Sequence, residues 1–116
     1  MEHFSIRPFR DEGIDFAFKL DTIEEWNHTR NDIERMFSFE PNGCFVAEMS
    51  SKPVGHVFSI SYGRLGCIGF LIVKAEYRKI GIGTLLMRRA MDYLLSRRAK
   101  TIKLEAVSKI ANFIEN

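Results

Sequence analysis

Cysteine is scarce in this chain. The 116 residues hold two, Cys44 and Cys67, far apart and in no C-x-x-C pair. Such spacing suggests neither a disulfide framework nor a zinc site, and it makes a reducing cytoplasm the expected setting. Histidine is nearly as sparse. His3, His28 and His56 stand at no metal-ligand spacing to one another or to the cysteines, so no metal is expected. The formal net charge is only +2. That excess is too small to imply nucleic acid, and the basic residues are spread rather than striped. The longest apolar stretches fall far short of the roughly 20 residues that a helix needs to cross a bilayer, so no membrane partner is expected. The start of the chain shows no basic-then-apolar leader pattern. Repeats and low-complexity linkers are also missing. Residues 1–116 therefore read as a single domain, since this length suffices for one compact unit and not for two.

What is present is ordinary for a soluble globular protein: 46% hydrophobic and 28% charged residues. Phe4 to Phe9 alternate apolar and polar, which predicts a short strand. Ile14, Ala17, Phe18 and Asp21 recur at helical spacing. Thr29 with Asp32, or Asn31 with Glu34, can cap a second helix in capping-box fashion, and Ile33, Met36 and Phe37 form its apolar face. Pro41 and Gly43 end it. Three strands are predicted next, at Cys44 to Met49, Val54 to Tyr62 and Leu65 to Val73. Short turns between them imply an antiparallel meander. The third, "LGCIGFLIV", is apolar on both faces and is expected to lie centrally, covered on both sides. Ile82, Leu85, Leu86, Ala90, Tyr93 and Leu94 mark the clearest helix, with Arg97, Arg98 and Lys100 at its C-terminal end. A strand is predicted at Thr101 to Val107, followed by the beginning of a helix.

Between the all-apolar strand and the clear helix stands "EYRKIGIGT", Glu76 to Thr84. Glycine lets backbone approach a ligand closely. A helix start offers unpaired N–H groups and partial positive charge, which suits phosphate. Arg78 and Lys79 add full charges, and Thr84 adds a hydroxyl. The physical reading is a pyrophosphate cradle; the plainer one is a turn with close helix packing. No P-loop string G-x-x-x-x-G-K-[ST] occurs. A dinucleotide fingerprint fits poorly, because Leu86 replaces its third glycine and seven residues separate Val73 from Gly81; Glu105 keeps that reading open. The pattern R-x-x-G-x-G between a strand and a helix is matched in full by Arg78 to Gly83.

On these residues the sequence resembles the GNAT superfamily of N-acetyltransferases. "FLIVKAEYRKIGIGTLLMRRAMDYL" is similar to the family's central strand, acetyl-coenzyme A loop and following helix, and "FSIRPFRDEG" and "GCFVAEMSSKPVGHVFSISYGRLGCIGF" extend the likeness through nearly the whole chain. The resemblance implies a mixed α/β fold, a central and largely antiparallel sheet flanked by helices. It implies acetyl-CoA as cosubstrate and direct acetyl transfer to a primary amine, with no covalent enzyme intermediate. Backbone groups of Leu71, Ile72 and Val73 would pair with the pantetheine arm like an added strand. Backbone N–H groups of Arg78, Lys79, Ile80, Gly81, Ile82, Gly83 and Thr84 would bind the pyrophosphate. The side chains of Arg78 and Lys79 would meet further phosphate charge; Lys74 and Arg88 read better as surface cations. A non-catalytic acyl-CoA-binding or dimerisation module is the alternative.

No catalytic residue is assigned. A lysine of pKa ~10.4 is only ~0.1% neutral near pH 7.5, whereas an α-amine of pKa ~8 is about a quarter neutral. A lysine acceptor thus calls for a real base. Many family members carry a carboxylate on the central strand, but here it has none, and Cys67 near that place reads as a small core residue. Glu48, Glu24 and Glu25 are candidate bases; Trp26 and His28 fall on the presumed acceptor side. In the family's register Ile114 takes the place of a common tyrosine acid and Val107 that of an asparagine. The chain also reads as C-terminally short, without the helix end and last two strands usual in the family. A fragment, a homodimer whose partner covers the edge of the last strand, or decay to binding alone would each account for that.

Overall fold

The structure is a computed structural model and describes residues 4–104. Five strands form one sheet in the order β1-β2-β3-β4-β5: β1 Phe4–Pro8, β2 Cys44–Met49, β3 Lys52–Tyr62, β4 Leu65–Val73 and β5 Thr101–Leu104. The first three pairings are antiparallel and β4–β5 is parallel. The parallel pair exists because the chain leaves β4, crosses the sheet as helix α3 (Ile82–Ser96) and returns. This sheet rules out the dinucleotide-fold alternative, which requires parallel strands throughout. The β2–β3 turn closes at Ser50 and Ser51, both with positive φ (51° and 70°), as a tight two-residue hairpin demands.

Helices cover both faces. On one, Ile82, Leu86, Ala90 and Leu94 of α3 pack on Phe45, Ala47, Val54, Val57, Ile68, Leu71 and Val73. The other face holds Val46, Phe58, Phe70 and Ile72 beneath α1 (Ile14–Ile23) and α2 (Arg30–Phe39). The capping box at Thr29 forms as expected: its hydroxyl accepts from the Asp32 N–H at 3.0 Å, and the Asp32 carboxylate accepts from the Thr29 N–H at 2.9 Å. The bonded carboxylate is held below the usual range, chiefly by these bonds to Thr29.

Two expectations need correction. The central strand is β3; β4 lies one place nearer the edge. Nor is β4 buried along its whole length, because Leu65, Cys67 and Gly69 are half-buried. Only Phe70, Leu71, Ile72 and Val73 are buried without a break. The cause of that run is a bulge. Phe58 pairs with Gly69 and His56 with Ile72, so Phe70 and Leu71 together oppose Val57. Phe70 takes φ +50°, rare for a bulky side chain. Ile68 faces α3, and a regular strand would turn Phe70 the same way. The extra residue shifts the alternation, so Phe70 joins the α1–α2 side and Leu71 faces α3. The predicted strand at Thr101 to Val107 is observed as Thr101–Leu104; its remainder, Val107 and Ile114 lie outside the described residues.

Candidate functional site

The bulge directs attention to the last three residues of β4. Leu71, Ile72 and Val73 are buried and pair with β3 on one side. On the other side, the described pairing with β5 runs only from Leu65 to Ile68. The backbone edge of Leu71 to Val73 follows directly from the point where Phe70 turns the strand.

His56 secures that point. Its ring is fully buried, and Nδ1 lies 2.9 Å from the Phe70 carbonyl oxygen. A carbonyl only accepts, so Nδ1 carries the proton and donates it. Phe9, Phe16, Phe58 and Phe70 surround the imidazole, with ring centroids 4.5 to 6.4 Å away. Burial among them pushes its pKa down to about 3, so it stays neutral, and Nε2 has no partner among the described residues.

After Val73 the chain makes a short 3-10 turn, Ala75–Tyr77, and reaches the predicted cradle. The Tyr77 N–H bonds the Lys74 carbonyl at 2.9 Å and the Arg78 N–H the Ala75 carbonyl at 3.3 Å. The expected donor set therefore loses Arg78. Lys79, Ile80, Gly81, Ile82, Gly83 and Thr84 fare differently: among the described residues none of their backbone N–H groups meets an acceptor, and the first bond of the helix is Leu85 N–H to Gly81 carbonyl, 3.1 Å. Lys79 (φ 67°) and Gly81 (φ 95°) are both left-handed, which folds the loop over the start of α3. A Cβ on Gly81 would meet nothing within 4 Å, so the backbone conformation rather than crowding is what selects glycine there. Lys79, Ile80 and Thr84 are exposed, whereas Ile82 and Gly83 are buried.

The Arg78 side chain is also placed differently from the expectation. Its Nε donates to the Val73 carbonyl at 2.9 Å, and a terminal nitrogen pairs with Glu24 at 2.7 Å. The guanidinium thus fastens the end of β4 to the turn after α1. This occupies Glu24, one candidate base. Glu48, another, pairs with Arg7 at 2.7 Å across the β1–β2 edge. Glu25 is exposed with φ 58°. Trp26 is half-buried and packs on both core clusters. His28 is tied to buried Asp21 through two contacts, Nδ1 to carboxylate oxygen at 2.6 Å and N–H to carboxylate oxygen at 3.0 Å. Sequence reasoning missed this pair. The available signal was a charged residue on the buried stripe of α1, beside Ile14, Ala17 and Leu20.

A strand bulge, a bundle of six unengaged N–H groups and a following 15-residue helix form one continuous segment. The Acetyltransferase (GNAT) family model matches residues 10–112, and so spans that segment and nearly all of the chain. The chain belongs to the GNAT acetyltransferase family. It is similar to Acetyltransferase SG1711 of Sodalis glossinidius, with 31% identity over 103 residues, 85% of this chain and 72% of that protein. Acetyltransferase ECA0875 of Pectobacterium atrosepticum is equally similar, at 31% over 85% and 73%. Among solved structures, Ard1 from Thermoplasma volcanium superposes with a TM-score of 0.84 at 18% identity, covering 97% of this chain and 79% of that one. A crystal structure from Pyrococcus horikoshii gives 0.82 at 26% identity, and this chain spans only 41% of it. As a GNAT acetyltransferase the protein uses acetyl-CoA. Among the described residues no group of three or more His, Cys, Asp or Glu side chains could hold a metal ion, and no helix is long and apolar enough to cross a membrane.

Proposed function

We propose that the chain binds acetyl-CoA along Leu71 to Val73 and Lys79 to Thr84 and transfers the acetyl group directly to a primary amine. The observation that carries this reading is the set of six backbone N–H groups that meet no acceptor among the described residues, gathered at the start of α3 by two left-handed residues. Each is a donor that an anion can satisfy, and the helix adds partial positive charge at the same place. Lys79 supplies the exposed cation beside it, while Arg78 acts from behind, holding the Val73 carbonyl. The pantetheine arm would run along the β4 edge that the bulge sets apart.

Direct transfer is consistent with the state of Cys44. Cys44 is fully buried, and burial pushes its pKa up to about 12, so it offers no thiolate for a covalent intermediate. An amine acceptor is consistent with two structural neighbours. Arabidopsis thaliana Naa50, superposing at a TM-score of 0.74, was solved with the bisubstrate analogue CoA-Ac-MVNAL. The NatC complex, at 0.81, was solved with Gag peptide and CoA.

Calorimetric titration with acetyl-CoA tests the cradle. Binding should be saturable in the wild type, weakened in Lys79→Glu and abolished in Gly83→Trp. A folded wild type that gives no binding heat, or a Lys79→Glu variant that binds as well, would refute the placement. Free-thiol release on adding an amine separates the enzyme from an acyl-CoA-binding module.

A further inference from the structure

The reaction needs a group to take a proton from the acceptor nitrogen, and the structure offers one that stands apart from the carboxylates weighed above. We propose that His28, oriented by buried Asp21, is the general base of the transfer; this rests on the acetyl-transfer reading. Asp21 lies in the last turn of α1 with its side chain 1% exposed. Both its carboxylate oxygens serve the same residue: one accepts the His28 backbone N–H at 3.0 Å, the other meets Nδ1 at 2.6 Å. A carboxylate there fixes the imidazole's tautomer with the proton on Nδ1, which leaves the Nε2 lone pair directed away from Asp21.

The ring is placed as a base requires. It is one-third exposed, so a substrate or a water can reach it. It packs edge-to-face on Phe70, with centroids 5.2 Å apart, and near Trp26 at 6.4 Å. Phe70 is the bulge residue, next in sequence to the backbone edge assigned to the pantetheine arm. The turn that carries His28 is fastened to the same end of β4 through Glu24, Arg78 and the Val73 carbonyl. The other candidates near the bulge are engaged or sealed: Glu24 is paired with Arg78, and His56 is fully buried behind four phenylalanines.

The step balances without a further reagent. The amine lone pair forms the C–N bond at the thioester carbonyl, and the C–S bond breaks with its electron pair on sulfur. The proton leaving nitrogen goes to His28 Nε2 and then, through water, to the thiolate. Products are the amide, free CoA thiol and a neutral imidazole.

The test uses the full chain with acetyl-CoA and two probe amines, trialanine and Nα-acetyl-lysine. His28→Asn keeps an N–H donor near the Nδ1 position and removes the base. We expect it to bind acetyl-CoA as the wild type does by calorimetry, to unfold at the same temperature, and to lose turnover about 10²–10⁴-fold. His28→Ala should recover part of its turnover in added imidazole, to which the wild type should not respond; a purely structural role for the Asp21–His28 contact would give no such rescue. His28→Asn turning over within about tenfold of the wild type, or His28→Ala deaf to imidazole, overturns the base while acetyl transfer stands. A wild type that binds acetyl-CoA but releases no thiol with either amine overturns acetyl transfer to amines, and the base falls with it.

Discussion

Acidification should cost this protein about 2 kcal/mol between about pH 7.5 and about pH 5 through His56 alone. The imidazole is fully buried, and its pKa is pushed down to about 3, mainly by desolvation. Unfolded, the same group protonates near pH 6.5. Between those values the unfolded chain holds a proton that the folded chain refuses, so stability falls as pH falls. The slope is half-developed at about pH 6.5, reaches about 1.4 kcal/mol per pH unit roughly one unit lower and ends near pH 3. Against a typical domain stability of roughly 5–15 kcal/mol, a loss of this size is readily measured. The assay is urea unfolding at about pH 7.5 and about pH 5 for the wild type and for His56→Asn. Asparagine keeps a donor for the Phe70 carbonyl and does not titrate. Every other ionisable group is common to both proteins and cancels in the comparison. The wild type should lose about 2 kcal/mol more than the variant on acidification. Equal losses would mean that His56 can take a proton in the folded state, and the argument that four aromatic rings keep it neutral would fail.

Three further outcomes are expected. Thr29→Ala removes half of the capping box and should cost about 1 kcal/mol, lowering the melting temperature by a few degrees in a thermal scan. Gly81→Ala meets no steric obstacle, so its cost is the left-handed backbone alone, about 1 kcal/mol; acetyl-CoA titrated calorimetrically into the same variant should bind more weakly, because the loop relaxes away from φ 95°. A thiol reagent near pH 8 should label one cysteine per native chain: Cys67 is half-buried, whereas Cys44 is buried and held at about 12. Peptide mapping that finds Cys44 labelled first would contradict the packing around it.

Much of this architecture could be read from the sequence because local and global signals agree. The period of Ile82, Leu86, Ala90 and Leu94, the Thr29–Asp32 cap and the short hairpins each carry their own physical mark. The loop into α3 was equally legible, since Gly81 marks a sharp backbone turn between a buried strand and an amphipathic helix. The bulge was not. "LGCIGFLIV" reads as a uniformly buried strand, and only pairing with β3 shows that one residue is extra. For the same reason the contacts of His56 and His28 with Phe70 stayed hidden, because the facing of Phe70 is set by that extra residue. Arg78 was placed correctly in the loop, but its partners Glu24 and Val73 come together only in the folded chain.

The Arg78 bridge makes the two halves of the site answer to each other. One guanidinium holds both the carbonyl that ends β4 and the carboxylate on the turn leading to His28. On the proposed placement of acetyl-CoA, a ligand that draws Glu24 toward itself loosens Arg78 and with it the end of β4. Thermodynamic reciprocity then requires that acceptor and acetyl-CoA alter each other's affinity by the same factor. Titrating either ligand in the presence of the other reads that factor, and Glu24→Gln should bring it toward one.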